Sequence, residues 1–220
     1  MSQAVVSPAA GRRVGFLGGA FDPPHRAHRA LAQAALSHLQ LDELRIVPTG
    51  QAWHKPRTLT PGVHRLAMVG LALGDLPGAV VDRCELDRSG PSYTVDTLEQ
   101  WRSGHPGDAL FLIIGADQAR ALPTWHRWQH LLTIATICVA ERPESTWLAA
   151  RNNAQNAPQA IAPLRGRDAG FGSWRTLPMP AMPLSATAIR QRLAAGQDVA
   201  EWVTEPVARY IALHRLYQRP

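Results

Sequence analysis

The chain has 220 residues, the length of one ordinary globular domain. Hydrophobic residues make up 45% of it, which supplies enough apolar side chains for a substantial core. Lysine and arginine number 23 against 17 acidic residues, and the resulting net charge of +6 is compatible with an anionic partner such as a nucleotide. The basic residues are spread along the chain without a run of five like charges, so they do not favour nucleic-acid binding.

Cysteine usage and hydropathy limit the class of protein further. Cys84 and Cys138 are too few for a disulfide framework and too far apart for a cysteine zinc site, so we expect buried or half-buried thiols. No segment approaches the ~18 consecutive apolar residues of a membrane span, and residues 1–10 lack the pattern of a signal peptide. The sequence therefore predicts a cytoplasmic protein without a membrane partner, and it predicts no particular oligomeric state.

Short runs of branched apolar residues alternate along the chain with longer helix-compatible stretches. The predicted strands are residues 13–18, 44–48, 79–82, 109–114, 133–140 and 174–177, and the predicted helices are residues 27–38, 61–73, 94–102, 186–195 and 206–216. This alternation predicts a Rossmann-like, doubly wound α/β domain with a parallel sheet and C-terminal helices within 185–217. Within this single domain, residues 1–11 are predicted to form a tail and the polar, turn-rich residues 141–172 a mobile surface segment.

A glycine-rich turn with two histidines follows the first predicted strand. Residues 18–28 read Gly-Gly-Ala-Phe-Asp-Pro-Pro-His-Arg-Ala-His, at the strand end where open α/β sheets bind ligands and helix amides attract phosphate. Gly18 and Gly19 lack a Cβ, so an anion could approach the backbone closely. His25 and His28 are three positions apart, which predicts that both imidazoles project to one side of the first helical turn. The spacing fits neither the dinucleotide fingerprint nor the lysine-containing phosphate loop.

Residue types alone leave two other interpretations of His25 and His28 open. They could bind zinc with Asp22 as a third ligand, although no further ligand cluster is apparent, or they could only cap and pack against the helix. The full pattern Gly-Gly-x-Phe-Asp-Pro-x-His-x-x-His resembles the signature of the nucleotidyltransferases related to class I aminoacyl-tRNA synthetases. Ala27 is a departure, since that family usually has glycine before the second histidine.

A second pattern suited to anions lies near the end of the chain. Residues 184–190 read Leu-Ser-Ala-Thr-Ala-Ile-Arg, with Ser185 as the predicted N-cap of a helix and Gly196 as its stop. The spacing of Thr187 and Arg190 places a hydroxyl and a guanidinium on one face beside the positive helix end. The stretch resembles the Ile-Ser-x-Thr-x-Ile-Arg motif with which the same superfamily holds the phosphates of ATP.

Three further stretches, residues 83–94, 113–117 and 122–125, resemble the matching segments of bacterial nicotinate-nucleotide adenylyltransferases. This resemblance runs from residue 13 to about residue 216 and is loose in residues 141–172. It implies adenylyl transfer from ATP to nicotinate mononucleotide, giving nicotinate adenine dinucleotide and pyrophosphate as a step of NAD biosynthesis. A related enzyme preferring nicotinamide mononucleotide, or a non-catalytic nucleotide- or RNA-binding protein of the same fold, is the alternative.

The resemblance also implies roles for individual residues. The catalytic residues would be His25, His28 and Arg190; the ATP site would comprise Gly18, Gly19, Ala20, Phe21, His25, His28, Gly115, Asp117, Ser185, Thr187 and Arg190; and the substrate site would comprise Lys55, Tyr93, Thr94, Trp125 and Arg142. Trp125 would stack on the nicotinate ring, while the amides of Tyr93 and Thr94, with the Thr94 hydroxyl, would bind its carboxylate. A carboxamide would leave those donors unpaired at a cost of roughly 1–3 kcal/mol, so selectivity for the acid is expected.

Plainer interpretations of some of these residues stay open. Trp125 could be a core aromatic, Asp117 a capping residue and Lys55 an ordinary solvated lysine, while Tyr93 and Thr94 could simply begin a helix. Lys55 follows Ala52-Trp53-His54, where the family has two prolines before the histidine.

The implied chemistry needs few kinds of residue. The attacking phosphate is already an anion, so no general base is required, and positioning with charge stabilisation can supply the catalysis. Mg²⁺ is expected to bridge the phosphate oxygens of ATP without a dedicated set of protein ligands.

Overall fold

The computed structural model describes residues 11–51, 58–141, 174–180 and 182–218. Its strands are β1 (Arg13–Gly19), β2 (Glu43–Pro48), β3 (Ala79–Val81), β4 (Ala109–Gly115), β5 (Thr136–Glu141) and β6 (Trp174–Pro178). They form one six-stranded parallel sheet in the order β3-β2-β1-β4-β5-β6. This is the strand order of doubly wound dinucleotide-binding folds, so the predicted fold class is confirmed.

Apolar residues fill most positions of the central strands because helices cover both faces of the sheet. Successive side chains of a strand point to opposite faces. Leu17 and Ile113 therefore belong to one buried core cluster, and Phe16 and Leu112 belong to the other. The register pairs Leu17 with both Ile46 and Ile113, so β1, β2 and β4 end close together at the carboxyl edge of the sheet.

The helices form a layer on each face of the sheet. They are α1 (Arg26–His38), α2 (Gly62–Leu73), α3 (Cys84–Asp87), α4 (Thr94–Gly104), α5 (Ala116–Ala121), α6 (Trp128–Ile134), α7 (Ala186–Ala194) and α8 (Glu205–Leu213), with a 3₁₀ turn at Leu122–Thr124. Buried residues of α1, α2, α7 and α8 share the core cluster of Leu17. Those of α4, α5 and α6 share the cluster of Phe16 on the opposite face.

Some predicted boundaries differ from the structure. The sequence predicts one strand over residues 133–140, but the first two of these end α6 and β5 begins at Thr136. The helix α6 buries Leu131 and Leu132, and a short apolar run does not distinguish such a helical turn from a strand. The helices α3, α5 and α6, of four, six and seven residues, are missing from the prediction because they are too short to show a clear helical period. The last helix ends at Leu213, before the predicted residue 216.

Several predictions fall outside the described residues. They concern the tail at residues 1–10, the surface segment beyond Glu141, and the substrate residues Lys55 and Arg142. The single-domain organisation stays a prediction. In the ranges that the structure describes, no helix has the length and apolar character needed to cross a membrane.

Candidate active site

The candidate site lies where the chain reverses its direction of winding across the sheet. β1 and β4 are neighbours at the centre, β1 ends in Gly18-Gly19, and β4 ends at Gly115. In such sheets ligands bind in the crevice outside the carboxyl ends of the two strands at this switch point. A Cβ built on Gly18 or on Gly115 would meet no atom within 4 Å, so both glycines border open space. The crevice therefore adjoins the backbone of both strands.

The turn after β1 has a specific shape that Phe21 maintains. Phe21 is 2% exposed and has a positive φ of 47°, which is rare for a residue with a side chain. A Cβ on Gly19 would lie 3.2 Å from the Phe21 ring, closer than an ordinary van der Waals contact, so glycine leaves room for the ring to pack beneath the turn. The Phe21 side chain belongs to the core, and any contact between Phe21 and ATP would come from its backbone.

The two histidines stand together at the start of α1. The structure corrects the prediction in one detail: His25 is the extended N-cap residue before α1, and only His28 lies within the first turn. Their rings still stack, with centroids 3.8 Å apart, so the expectation of one common side is met. The His25 N–H donates to His28 Nδ1 at 3.1 Å, so a neutral His28 carries its proton on Nε2 and presents an N–H donor there.

The second motif begins α7 as predicted. The Ser185 hydroxyl oxygen caps the helix by accepting from the Ala188 N–H at 3.2 Å, and Gly196 follows the helix end with a positive φ of 69°. Arg190 donates through Nη2 to the Thr187 hydroxyl at 3.0 Å, which confirms that these side chains share a face. The motif thus places a hydroxyl pair and a guanidinium beside the N-terminus of α7.

Arg190 also joins the two motifs. Its Nη1 donates to the backbone carbonyl of Asp22 at 2.8 Å, across 168 positions of sequence. Asp22 lies in the turn between the Gly18-Gly19 pair and His25, so the guanidinium stands directly beside that turn. The Arg190 guanidinium, two imidazoles and two helix N-termini are therefore brought to the same end of the crevice.

The Asp22 carboxyl group accepts hydrogen bonds from other parts of the protein. Asp22 is 1% exposed, its Oδ1 accepts from the Tyr217 hydroxyl at 2.6 Å, and its Oδ2 accepts from the Thr60 N–H at 3.3 Å. A buried carboxylate bound in this way supports the turn rather than a metal ion. Among the described residues, no three histidine, cysteine or acidic side chains are grouped so that they could hold a metal.

Tyr93, Thr94 and Trp125 lie at the starts of adjoining segments. Tyr93 is the N-cap of α4 and Thr94 is its first residue, so their amides belong to the positive end of that helix. The Tyr93 ring lies 4.3 Å, centroid to centroid, from the ring of His126, the neighbour of Trp125. Tyr93 and Trp125 are half-buried and pack against the core cluster of Phe16. The predicted carboxylate donors are thus next to the predicted stacking ring.

Backbone hydrogen bonds connect this region to the turn after β1. The Thr49 N–H donates to the Gly19 carbonyl at 2.8 Å, which ties the chain after β2 to the end of β1. Two positions further on, the Ser92 N–H donates to the Gln51 carbonyl at 3.2 Å, and the Gln51 N–H donates to the Ser92 hydroxyl at 3.2 Å. The start of α4 therefore shares the carboxyl edge of the sheet with the histidines.

Asp117 lies at the same edge in an open position. Gly115 is the N-cap of α5, and Asp117 is in the first turn of that helix. The Asp117 side chain is 86% exposed and forms an ion pair with Arg120. An acceptor at the carboxyl end of β4 suits ribose hydroxyls, although a first-turn aspartate also stabilises the helix start.

Comparison with known proteins identifies the family. The cytidylyltransferase-like family model matches residues 16–192. A probable nicotinate-nucleotide adenylyltransferase of Albidiferax ferrireducens is 55% identical over 207 residues, covering 94% of this chain and 98% of the relative. Another of the same name, from Methylibium petroleiphilum, is 43% identical over 213 residues, covering 95% and 94%. The chain belongs to the nicotinate-nucleotide adenylyltransferases of the cytidylyltransferase-like family.

Solved structures of distant sequence share the fold of this adenylyltransferase. Plasmodium falciparum nicotinic acid mononucleotide adenylyltransferase complexed with NaAD has a TM-score of 0.72 at 17% identity, over 94% of this chain and 97% of that chain. A putative nicotinate-nucleotide adenylyltransferase from Vibrio parahaemolyticus has a TM-score of 0.63 at 17% identity, over 95% and 97%. The family resemblance and the fold predicted from the sequence are both confirmed.

Arg65 supports the turn after β1, and the sequence interpretation missed it. It is 2% exposed, and it donates through Nη1 to the Ala20 carbonyl at 3.0 Å and through Nε to the Thr60 carbonyl at 2.8 Å. In α2 it lies on the buried face, together with Met68 and Val69. A charged residue at a buried position of an apolar helix was the signal that could have found it.

The cysteines of the adenylyltransferase are not activated as nucleophiles. Cys138 is buried and Cys84 is half-buried, as predicted. Burial raises the pKa of each thiol to about 12, so both stay protonated at neutral pH. The thiols are therefore suited to packing rather than to covalent catalysis.

Proposed function

We propose that this adenylyltransferase transfers the adenylyl group of ATP to nicotinate mononucleotide, releasing pyrophosphate and forming nicotinate adenine dinucleotide. The observation that carries the proposal is the hydrogen bond from Arg190 to the Asp22 carbonyl, because it assembles two separate anion-binding motifs around one crevice. The names of the relatives supply the nature of the acceptor. In this reaction the acceptor phosphate attacks the α-phosphorus of ATP in line, and the bond to pyrophosphate breaks.

The residues at the turn after β1 are proposed to stabilise charge that develops during this transfer. Donors fixed in advance stabilise a transition state without having to reorganise. His28 would offer its Nε2–H, and His25 stacks on it at the helix end that attracts phosphate oxygens. Gly18 and Gly19, with the backbone of Ala20 and Phe21, would let the nucleotide lie close to the end of β1.

The start of α7 is proposed to hold the outer phosphates of ATP. Ser185 and Thr187 present hydroxyls near the helix N-terminus, and the Arg190 guanidinium, a group suited to phosphate oxygens, lies beside Thr187. Gly115 and Asp117 would bind the nucleoside at the end of β4.

The start of α4 and Trp125 are proposed to select the pyridine nucleotide. Trp125 would stack on the ring, and the amides of Tyr93 and Thr94, with the Thr94 hydroxyl, would donate to the nicotinate carboxylate. Lys55 and Arg142 are proposed, from resemblance to the family, to bind the rest of this substrate. A carboxamide presents an NH₂ to the same donors, which favours the acid by roughly 1–3 kcal/mol.

Nucleotidyltransferases generally use a divalent metal ion with ATP, and we propose Mg²⁺ for this chain. The Asp22 carboxylate does not fit the role of a metal ligand, because it accepts hydrogen bonds from Tyr217 and Thr60. The ion is therefore proposed to be held by the phosphate oxygens of ATP and by water, where it offsets their charge.

An assay of pyrophosphate release with ATP, Mg²⁺ and either mononucleotide tests this function. We expect nicotinate adenine dinucleotide to form, with kcat/KM for nicotinate mononucleotide about tenfold or more above that for nicotinamide mononucleotide. Equal rates would refute the selectivity alone. ATP binding without a dinucleotide product from either substrate would refute the reaction and favour a non-catalytic nucleotide-binding protein.

A further inference from the structure

The chain after α8 returns toward the turn after β1 in a strained conformation. The Leu216 N–H donates to the Ile211 carbonyl at 3.0 Å, so the chain reverses just beyond the helix end. Arg215 and Tyr217 have φ values of 49° and 63°, in the left-handed region that residues with side chains rarely adopt. Such strain persists only where other contacts hold the chain in place.

One contact that holds it is a hydrogen bond from Tyr217 to Asp22. The Tyr217 hydroxyl donates to Asp22 Oδ1 at 2.6 Å, across 195 positions of sequence. Asp22 is 1% exposed, and the Tyr217 side chain packs against the core cluster of Leu17. Burial and the carboxylate of Asp22 raise the pKa of Tyr217, so its hydroxyl keeps the proton that it donates. A short hydrogen bond between buried groups is strengthened by the low dielectric constant of the protein interior.

Asp22 transmits this contact to both anion-binding motifs. Its backbone carbonyl accepts from Arg190 of the α7 motif at 2.8 Å. Along the chain it is followed by two prolines and then by His25, the N-cap of α1. A shift of Asp22 would therefore move the guanidinium and the histidines relative to one another.

We propose that Tyr217 is a positioning residue for adenylyl transfer: through Asp22 it holds Arg190 and the two histidines in the relative placement that the transition state requires. This inference rests on the proposed function. Tyr217 acts through Asp22 and contacts no reacting atom. Misplaced transition-state donors reduce turnover more than they reduce substrate binding. Loss of the contact should therefore lower kcat and leave KM nearly unchanged.

The substitution Tyr217→Phe removes only the hydroxyl and tests the proposal. We expect kcat to fall about tenfold, while KM for ATP and for nicotinate mononucleotide changes by less than about twofold. Tyr210→Phe is the matched control, because the Tyr210 hydroxyl is also near the end of α8 but bonds to His64 Nδ1 at 3.0 Å. Its kcat should equal that of the wild type. Kinetics are measured well below the melting temperature of each variant.

Asp22→Asn provides a second test, because it changes the acceptor of the same hydrogen bond. It should also lower kcat selectively, and the two losses should not multiply in the double variant, because both substitutions weaken one interaction. A Tyr217→Phe variant with wild-type kcat, or with only a lower melting temperature, overturns the proposal, as do multiplying losses. If Tyr217→Phe does not fold, the effect of Asp22→Asn on kcat decides alone. A wild-type chain that forms no dinucleotide refutes the proposed function itself, which is a distinguishable result.

Discussion

The two ends of the candidate site are held in different ways. The phosphate end comprises residues 18–28 and the start of α7. Side chains from three separate parts of the chain donate hydrogen bonds to its turn: Arg65, Arg190 and Tyr217. At the pyridine end, residues 93–94 and Trp125, the main determinants are a helix start and two half-buried rings at the edge of the core. Three long-range side-chain hydrogen bonds therefore anchor the turn at the phosphate end.

This difference indicates which end of the site requires precisely placed donor groups. Stabilising a transition state requires donors in fixed positions, whereas stacking and ground-state binding tolerate small shifts. If the two ends divide the work in this way, substitutions at the phosphate end lower kcat, and substitutions at the pyridine end raise KM or change selectivity.

The largest effect is expected for His28→Ala at the phosphate end. Removing a fixed donor to the transition state should lower kcat by about 100-fold to 1,000-fold. His38→Ala is the control, because His38 is exposed at the other end of α1. Steady-state kinetics and circular dichroism check the prediction, and near-normal turnover by a folded His28→Ala variant would refute the assigned role.

Trp125→Ala is the corresponding test of the pyridine end. The loss of ring stacking should raise KM for nicotinate mononucleotide about tenfold, since stacking on an aromatic side chain contributes roughly 1–3 kcal/mol per base. The kcat at saturation should change little. Trp128→Ala removes a neighbouring tryptophan of the same core cluster and should leave KM unchanged. A loss confined to kcat in Trp125→Ala would contradict the division between the two ends.

Thr94→Ala should sharpen the comparison by changing selectivity alone. The proposed bond from its hydroxyl to the carboxylate is worth about 1 kcal/mol, so the preference for the acid over the amide should narrow about fivefold. Thr94→Ser keeps the hydroxyl and should restore the wild-type ratio. The ratio of kcat/KM for the two mononucleotides is measured, and an unchanged ratio in the alanine variant would exclude this contact.

The smallest effect on activity is expected for Glu85, which is hydrogen-bonded to Thr97 of α4. It is buried, and its Oε1 accepts from the Thr97 hydroxyl at 3.0 Å. Burial raises the pKa of Glu85 although this bond lowers it. The folded state then binds the proton more tightly than the unfolded chain, so this contribution to stability is present at low pH and is lost as pH rises through the raised pKa.

Glu85→Gln removes the carboxyl group that titrates but keeps an oxygen that can accept from the Thr97 hydroxyl. The free energy of unfolding of the variant, relative to the wild type, should increase as pH rises from about 4 through neutrality. Urea unfolding at several pH values measures it, with kcat expected to stay close to that of the wild type. Stability curves of variant and wild type that run parallel across this range would show that Glu85 does not titrate as inferred.

The sequence was sufficient to predict the positions of most strands, because apolar runs such as β4 are bounded on both sides by turn residues. It was insufficient at α6, where Leu131 and Leu132 extend an apolar run that also suits a strand. For the site, local patterns located the Gly18-Gly19 turn and the Ser185 cap. The assignments of Lys55 and Arg142 lie outside the described residues and stay predictions, as do the individual substrate contacts.

By itself the sequence determined the two motifs, the parallel α/β architecture and, through resemblance, the family, because all of these depend on residues close together along the chain. Only the tertiary structure decided that Arg190 bonds to Asp22, that Arg65 holds the Ala20 carbonyl, and that Tyr217 reaches the same turn from the other end of the chain. Hydrogen bonds across 168 and 195 positions leave no local pattern. They depend on the path of the whole chain, which brings distant elements to one edge of the sheet.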